Sequence, residues 1–66
     1  MFPNLYAEIA RARMSTRDFA KWLGITEKSA KNKLDGVTEF KFSEIEKTRQ
    51  LFPQVKQDYL FTRSKH

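Results

Sequence analysis

A chain of 66 residues without cysteine has room for one modest core, and for neither a disulfide framework nor a cysteine-built zinc site. Its only histidine is His66, which argues against a histidine-based metal or catalytic centre, and no apolar run approaches the roughly 20 residues that cross a bilayer. The formal net charge is +5, and Glu8, Arg11 and Arg13 interrupt the N-terminal stretch before the apolar region of a secretory leader can form. The composition predicts a soluble cytoplasmic protein with a polyanionic partner.

Phe2 and Pro3 precede a first helix predicted from Leu5 to about Arg13, with Asn4 as its cap. Leu5, Ile9 and Ala12 fall on its inner face and Glu8 mostly outside it, while Phe2 is expected to fold back on the core. Met14 and Ser15 end that helix and start the next. Ser15 followed by Asp18 forms a capping box, and Met14 and Phe19 are spaced as a hydrophobic staple across it. Phe19, Ala20 and Leu23 are the buried face of this second helix. Gly24 is expected to close it in a left-handed conformation, and Ile25 fills the corner.

Thr26 caps a third helix from about Glu27 to Leu34, with Ala30 and Leu34 pointing inward and Glu27, Lys28, Lys31 and Asn32 outward. Asp35 and Gly36 end it. Val37 and Phe40 are the expected anchors of the following loop, and Ser43 with Glu46 reads as the capping box of a fourth helix whose apolar face carries Ile45, Thr48, Leu51 and Phe52. Pro53 ends that helix. A last short helix spans about Gln57 to Phe61, and 62–66 reads as a frayed tail. The fold class is therefore all-α: five short helices around one core, in a single domain spanning 1–66.

The charge lies in one region. Between positions 11 and 33 stand Arg11, Arg13, Arg17, Lys21, Lys28, Lys31 and Lys33 against Asp18 and Glu27, which accounts for the whole basic excess. The stretch 15–35 reads as helix, tight turn, helix, with an exposed and polar second member. A narrow cylinder bearing donors and acceptors on its free side suits the major groove of double-stranded DNA. Nucleophile and base do not stand together, so no enzyme is expected, and neither is a cofactor or small-molecule ligand.

The segments LYAEIARARMSTRDFAKWLGITEKSAKNKLDG, FKFSEI and DYLF resemble the Cro and lambda-repressor type of helix-turn-helix proteins, the XRE family, over nearly the whole chain from Asn4 to Phe61. The resemblance implies a compact lambda-repressor-like domain that represses transcription in a bacterial or phage-infected cell. It points to Glu27, Lys28, Lys31 and Asn32 as base contacts, and to Thr16, Arg17, Lys21, Ser29 and Lys41 as contacts to the DNA backbone. It also implies a homodimer, weak or formed only on DNA, with Trp22, Tyr59 and Phe61 as candidate interface residues. Trp22 alternatively serves the core, as do Tyr59 to Phe61. The chain departs from the family in having Ala30 where a larger aliphatic residue is usual, and Thr16 and Glu27 where glutamine is frequent. Glu27 either accepts from cytosine N4 or supports its own helix by pairing with Lys31. The alternative function is a helix-turn-helix-derived protein adaptor that has lost specific DNA binding.

Overall fold

The computed structural model describes residues 1–63. Among them stand five helices: α1 (Pro3–Arg11), α2 (Thr16–Leu23), α3 (Glu27–Leu34), α4 (Phe42–Leu51) and α5 (Gln57–Leu60). The protein is a small, compact, all-α domain. None of these helices is long and apolar enough to cross a membrane. Residues 64–66, part of the expected tail and including His66, lie outside the described residues.

Helix α1 starts earlier than the sequence suggested. Pro3 occupies its first turn and Phe2 precedes it, while the Asn4 side chain makes no cap. Proline suits that position because the N–H it lacks would have no partner within the helix. The Asn4 amide instead donates to the Tyr59 carbonyl oxygen at 3.0 Å, tying α1 to α5. Phe2 is buried with Leu5 and Ile9 as expected, but Ala12 is exposed. The Glu8 side chain, expected mostly outside, is buried and accepts from the Arg11 guanidinium at 2.6 Å.

Three successive helices end in one backbone pattern. The N–H of the left-handed residue bonds back three positions, and the next N–H bonds back five. Arg13 and Met14 do this for α1, reaching Ala10 and Ile9. Gly24 and Ile25 do it for α2, reaching Lys21 and Ala20. Gly36 and Val37 do it for α3, reaching Lys33 and Asn32. Two of the three left-handed residues are glycines, whereas Arg13 holds φ at +58° with a side chain attached. These stops are tight enough to turn the chain within a few residues.

The core unites Phe2, Leu5, Ile9, Phe19, Ala20, Leu23, Ala30, Leu34, Phe52 and Leu60. Helix α2 packs on α3 and α4, and α1 on α5. The rings of Phe2, Phe40 and Phe61 meet edge to face with centroids 5.2–5.7 Å apart, so Phe40 anchors the loop before α4, as expected. Val37 does not, being 72% exposed. Arg63 places its guanidinium carbon 5.4 Å from the Phe2 ring centroid, which holds the first part of the expected frayed tail against the core.

Helix α4 also differs from its expected start. Lys41, rather than Ser43, precedes it, and its N–H donates to Oε1 of Glu44 at 2.8 Å. Glu44 takes the role assigned to Glu46, two positions earlier and buried. Thr48, inside the same helix, satisfies its hydroxyl on the Glu44 carbonyl at 2.8 Å.

Relief of the left-handed strain gives a direct test. Arg13→Gly is expected to raise the unfolding free energy by about 1 kcal/mol and Gly24→Ala to lower it by a similar amount, both measured by urea denaturation.

Candidate nucleic-acid interface

The α2–α3 pair is built by local chemistry. The Ser15 hydroxyl accepts from the Asp18 N–H at 3.1 Å, and the Asp18 carboxylate accepts from the Ser15 N–H at 3.0 Å. This reciprocal box satisfies two donors at the start of α2, and its backbone and hydroxyl bonds hold the Asp18 carboxyl below its ordinary pKa. Met14, half-buried, packs against the core beside this box. At the far end Gly24 has φ +77°. Thr26 then accepts the Ser29 N–H on its hydroxyl at 3.1 Å and opens α3.

The apolar stripe of each helix decides what remains outside. Helix α2 buries Phe19, Ala20 and Leu23, leaving Arg17 and Lys21, one turn apart, exposed and Thr16 half-buried. Helix α3 buries Ala30 and Leu34. Lys28, Lys31 and Asn32, three and four positions apart, share its outer side; the two lysines are exposed and Asn32 is half-buried. Glu27 is exposed in the first turn of α3, where a negative charge complements the helix dipole. Ser29 is half-buried beside its cap, and Lys41 is exposed ahead of α4.

Two electrostatic details depart from the sequence reading. Lys31 pairs with Asp35, Nζ to Oδ2 at 3.4 Å, rather than with Glu27. Asp35 also accepts from the Tyr6 hydroxyl on Oδ1 at 2.5 Å. A carboxylate at a helix C-terminus is opposed by the dipole. Here the Tyr6 hydrogen bond, helped by Lys31, holds the Asp35 carboxyl below its ordinary pKa. In return, burial and the Asp35 carboxylate push the Tyr6 phenol up to about 12. The base-contact candidate Lys31 is thus attached to α1 through two side chains.

The second detail has no signal in the local sequence: Lys33 is buried, and its ammonium donates to Oε1 of Glu44. Burial alone would raise the Glu44 pKa. The Lys33 ammonium and the Lys41 N–H together outweigh it and hold the carboxyl below its usual range. Lys33 is therefore subtracted from the basic surface. Arg11 is partly neutralised by Glu8.

The candidate interface residues occupy three different settings. Trp22 is 44% exposed, and its indole N–H donates to the Lys47 carbonyl at 2.7 Å, which fastens α2 to α4. Phe61 is half-buried in the aromatic cluster. Tyr59 is exposed on α5. An open hollow of about 660 Å³ lies between α4 and α5, lined among others by Glu46, Arg49, Val55 and Asp58, and includes no residue of α2 or α3.

Compared with models of protein families, with curated proteins and with solved structures, the chain matches none.

Removing the Tyr6 hydroxyl tests the link to Lys31. In Tyr6→Phe the Asp35 carboxyl should titrate closer to its ordinary value, followed by carboxyl chemical shifts across the acid range. The sign is fixed by linkage: a lowered carboxyl pKa stabilises the fold above the unfolded value near 3.9, and this is lost as pH falls through the folded value. Tyr6→Phe should therefore flatten the acid limb of stability.

Proposed function

We propose that this protein is a sequence-specific double-stranded DNA-binding regulator of transcription, a helix-turn-helix domain of the lambda-repressor type acting as a Cro-like repressor. Helix α3 is the reading element. The observation that carries this is the coincidence of a tightly stopped helix pair with unburied cations on both members: Arg17 and Lys21 on α2, Lys28 and Lys31 on α3. An exposed polar helix held at its neighbour by a short turn fits the major groove, and cations on the supporting helix reach phosphates.

In this reading Lys28 and Lys31 donate to guanine O6 and N7, and Asn32 beside them reads an adjacent edge. Entry of Lys31 into the groove exchanges its exposed contact with Asp35 for one with a base. Glu27 has no cationic partner among the described residues. That leaves it available to accept from cytosine N4 or to support the start of α3. Thr16, Arg17, Lys21, Ser29 and Lys41 face the DNA backbone. A module of this size covers few base pairs, so two copies on a two-fold site supply the affinity. Tyr59 and Phe61, on and after α5, and Trp22 on α2 are the candidate residues through which the copies would meet.

A protein-interaction adaptor is the second reading. It is favoured by Phe42 and Val37, which are the most exposed of the large apolar side chains at 78% and 72% and flank the α3–α4 connection.

Selection from a pool of random duplexes at fixed salt separates the two. DNA reading predicts recovery of a two-fold sequence with half-sites about one helical turn apart. On that sequence Lys28→Ala and Lys31→Ala should each lose about 1–3 kcal/mol of discrimination. Arg17→Ala and Lys21→Ala should weaken all duplexes alike and reduce the salt slope by about one each. Binding that remains blind to sequence would overturn the repressor reading and leave the adaptor.

A further inference from the structure

The buried charge on α3 has no part in contacting DNA, yet it sits on the helix proposed to read it. Lys33 and Glu44 are 8% and 5% exposed. An ion pair placed there is a costly way to fill a core: apolar residues of similar volume are commonly as stable or more so. What an ion pair supplies that apolar contact does not is direction, because its hydrogen bond is formed only over a narrow range of angle and distance.

The surroundings show where direction is needed. Helix α3 packs chiefly on α2 and shares no extended face with α4, and its own apolar contribution is Leu34 and the small Ala30. Its C-terminal end is held from the α1 side, where the Phe2 N–H donates to the Leu34 carbonyl at 3.0 Å and Tyr6 to Asp35. Toward α4 the polar tie is the Lys33 ammonium on the Glu44 carboxylate. The same oxygen, Oε1, also accepts the Lys41 N–H at 2.8 Å. One carboxylate oxygen is therefore shared by the helix bearing Lys28 and Lys31 and by the backbone of Lys41.

We propose that Lys33 and Glu44 are positioning residues, whose buried pair locks α3 to the start of α4 and so sets the base-reading side chains in fixed register with the phosphate contact at Lys41. The proposal rests on the DNA reading above. The pair acts through other residues and touches no nucleic acid. A misregistered α3 still presents its charge to phosphates, so non-specific attraction survives while discrimination between sequences is lost.

The test replaces both charges, since removing one alone strands the other in the core. Lys33→Met with Glu44→Met is compared with the parent in three measurements. These are thermal stability, the ratio of affinities for the selected duplex and a scrambled one, and the orientation of α3 relative to α4 from residual dipolar couplings. The expected result is a folded protein with a melting temperature at or above the parent's. Its affinity ratio should fall by about tenfold or more, with unchanged affinity for the scrambled duplex and α3 couplings reduced relative to those of α4. A double variant that keeps the parent's ratio and α3 orientation overturns the proposal. A parent that binds all duplexes alike overturns the DNA reading instead, and the dipolar couplings still decide whether the pair orients α3. If the methionine pair fails to fold, Lys33→Leu with Glu44→Leu, which likewise removes the directional hydrogen bond and both charges, is read by the same criteria.

Discussion

Helix α3 is eight residues long and contributes only Ala30 and Leu34 to the apolar core. Burial on that scale does not by itself fix a helix in one orientation. The rest is supplied by ties at its edges: Thr26 at its start, the Phe2 N–H and Tyr6–Asp35 at its end, and Lys33–Glu44 on its flank. Apart from the contact of Lys31 with Asp35, these ties leave the outer side untouched. This is a physical solution to holding a helix firmly while keeping most of its surface free. It also explains how the chain accommodates Ala30 where a larger side chain would give more packing. Directional polar contacts take over part of the work of volume, and Phe19, Leu23 and Leu34 fill the space between the helices.

The charge has the same logic. By sequence the basic excess runs from Arg11 to Lys33. In the folded chain Lys33 turns inward and is neutralised, and Arg11 lies against Glu8. The cations left on the α2–α3 pair are Arg17, Lys21, Lys28 and Lys31, with the exposed Lys31 ammonium 3.4 Å from the half-buried Asp35. Surface pairs of that kind contribute little to stability and are easily exchanged. A phosphate or a base edge can therefore compete for Lys31, whereas Lys33 is committed to the fold.

What was legible in the sequence was local. Ser15 with Asp18, Gly24 and Thr26 act within a few residues of themselves, so their roles in stopping and starting α2 and α3 follow from residue type and spacing. The inward positions of Leu5, Ile9, Phe19, Leu23 and Leu34 follow from helical period. What escaped depended on distant partners. Glu8 and Lys33 are charged residues, a type that is rarely buried without a partner. The structure buries both, Lys33 because Glu44 waits eleven positions away on another helix. Asn4 looked like a cap, but Pro3 begins the helix first and frees its amide for Tyr59. Ser43 and Glu46 imitate the capping pair that Lys41 and Glu44 actually form. Arg13 carries no glycine to announce its left-handed turn. For the candidate site, the exposure of Lys28 and Lys31 was legible, whereas the pairing of Lys31 with Asp35 and Tyr6 was not, because it requires α1 to lie beside the end of α3.

Under the proposed function the outer side of α3 meets DNA. The most direct test is a titration of isotope-labelled protein with duplex DNA, followed amide by amide by NMR. The account predicts shifts and broadening concentrated on residues 15–21 and 27–32 and at Lys41, with the α4–α5 hollow unaffected. Perturbation confined to α4 and α5, or to the exposed Val37 and Phe42, with α3 silent, would contradict it.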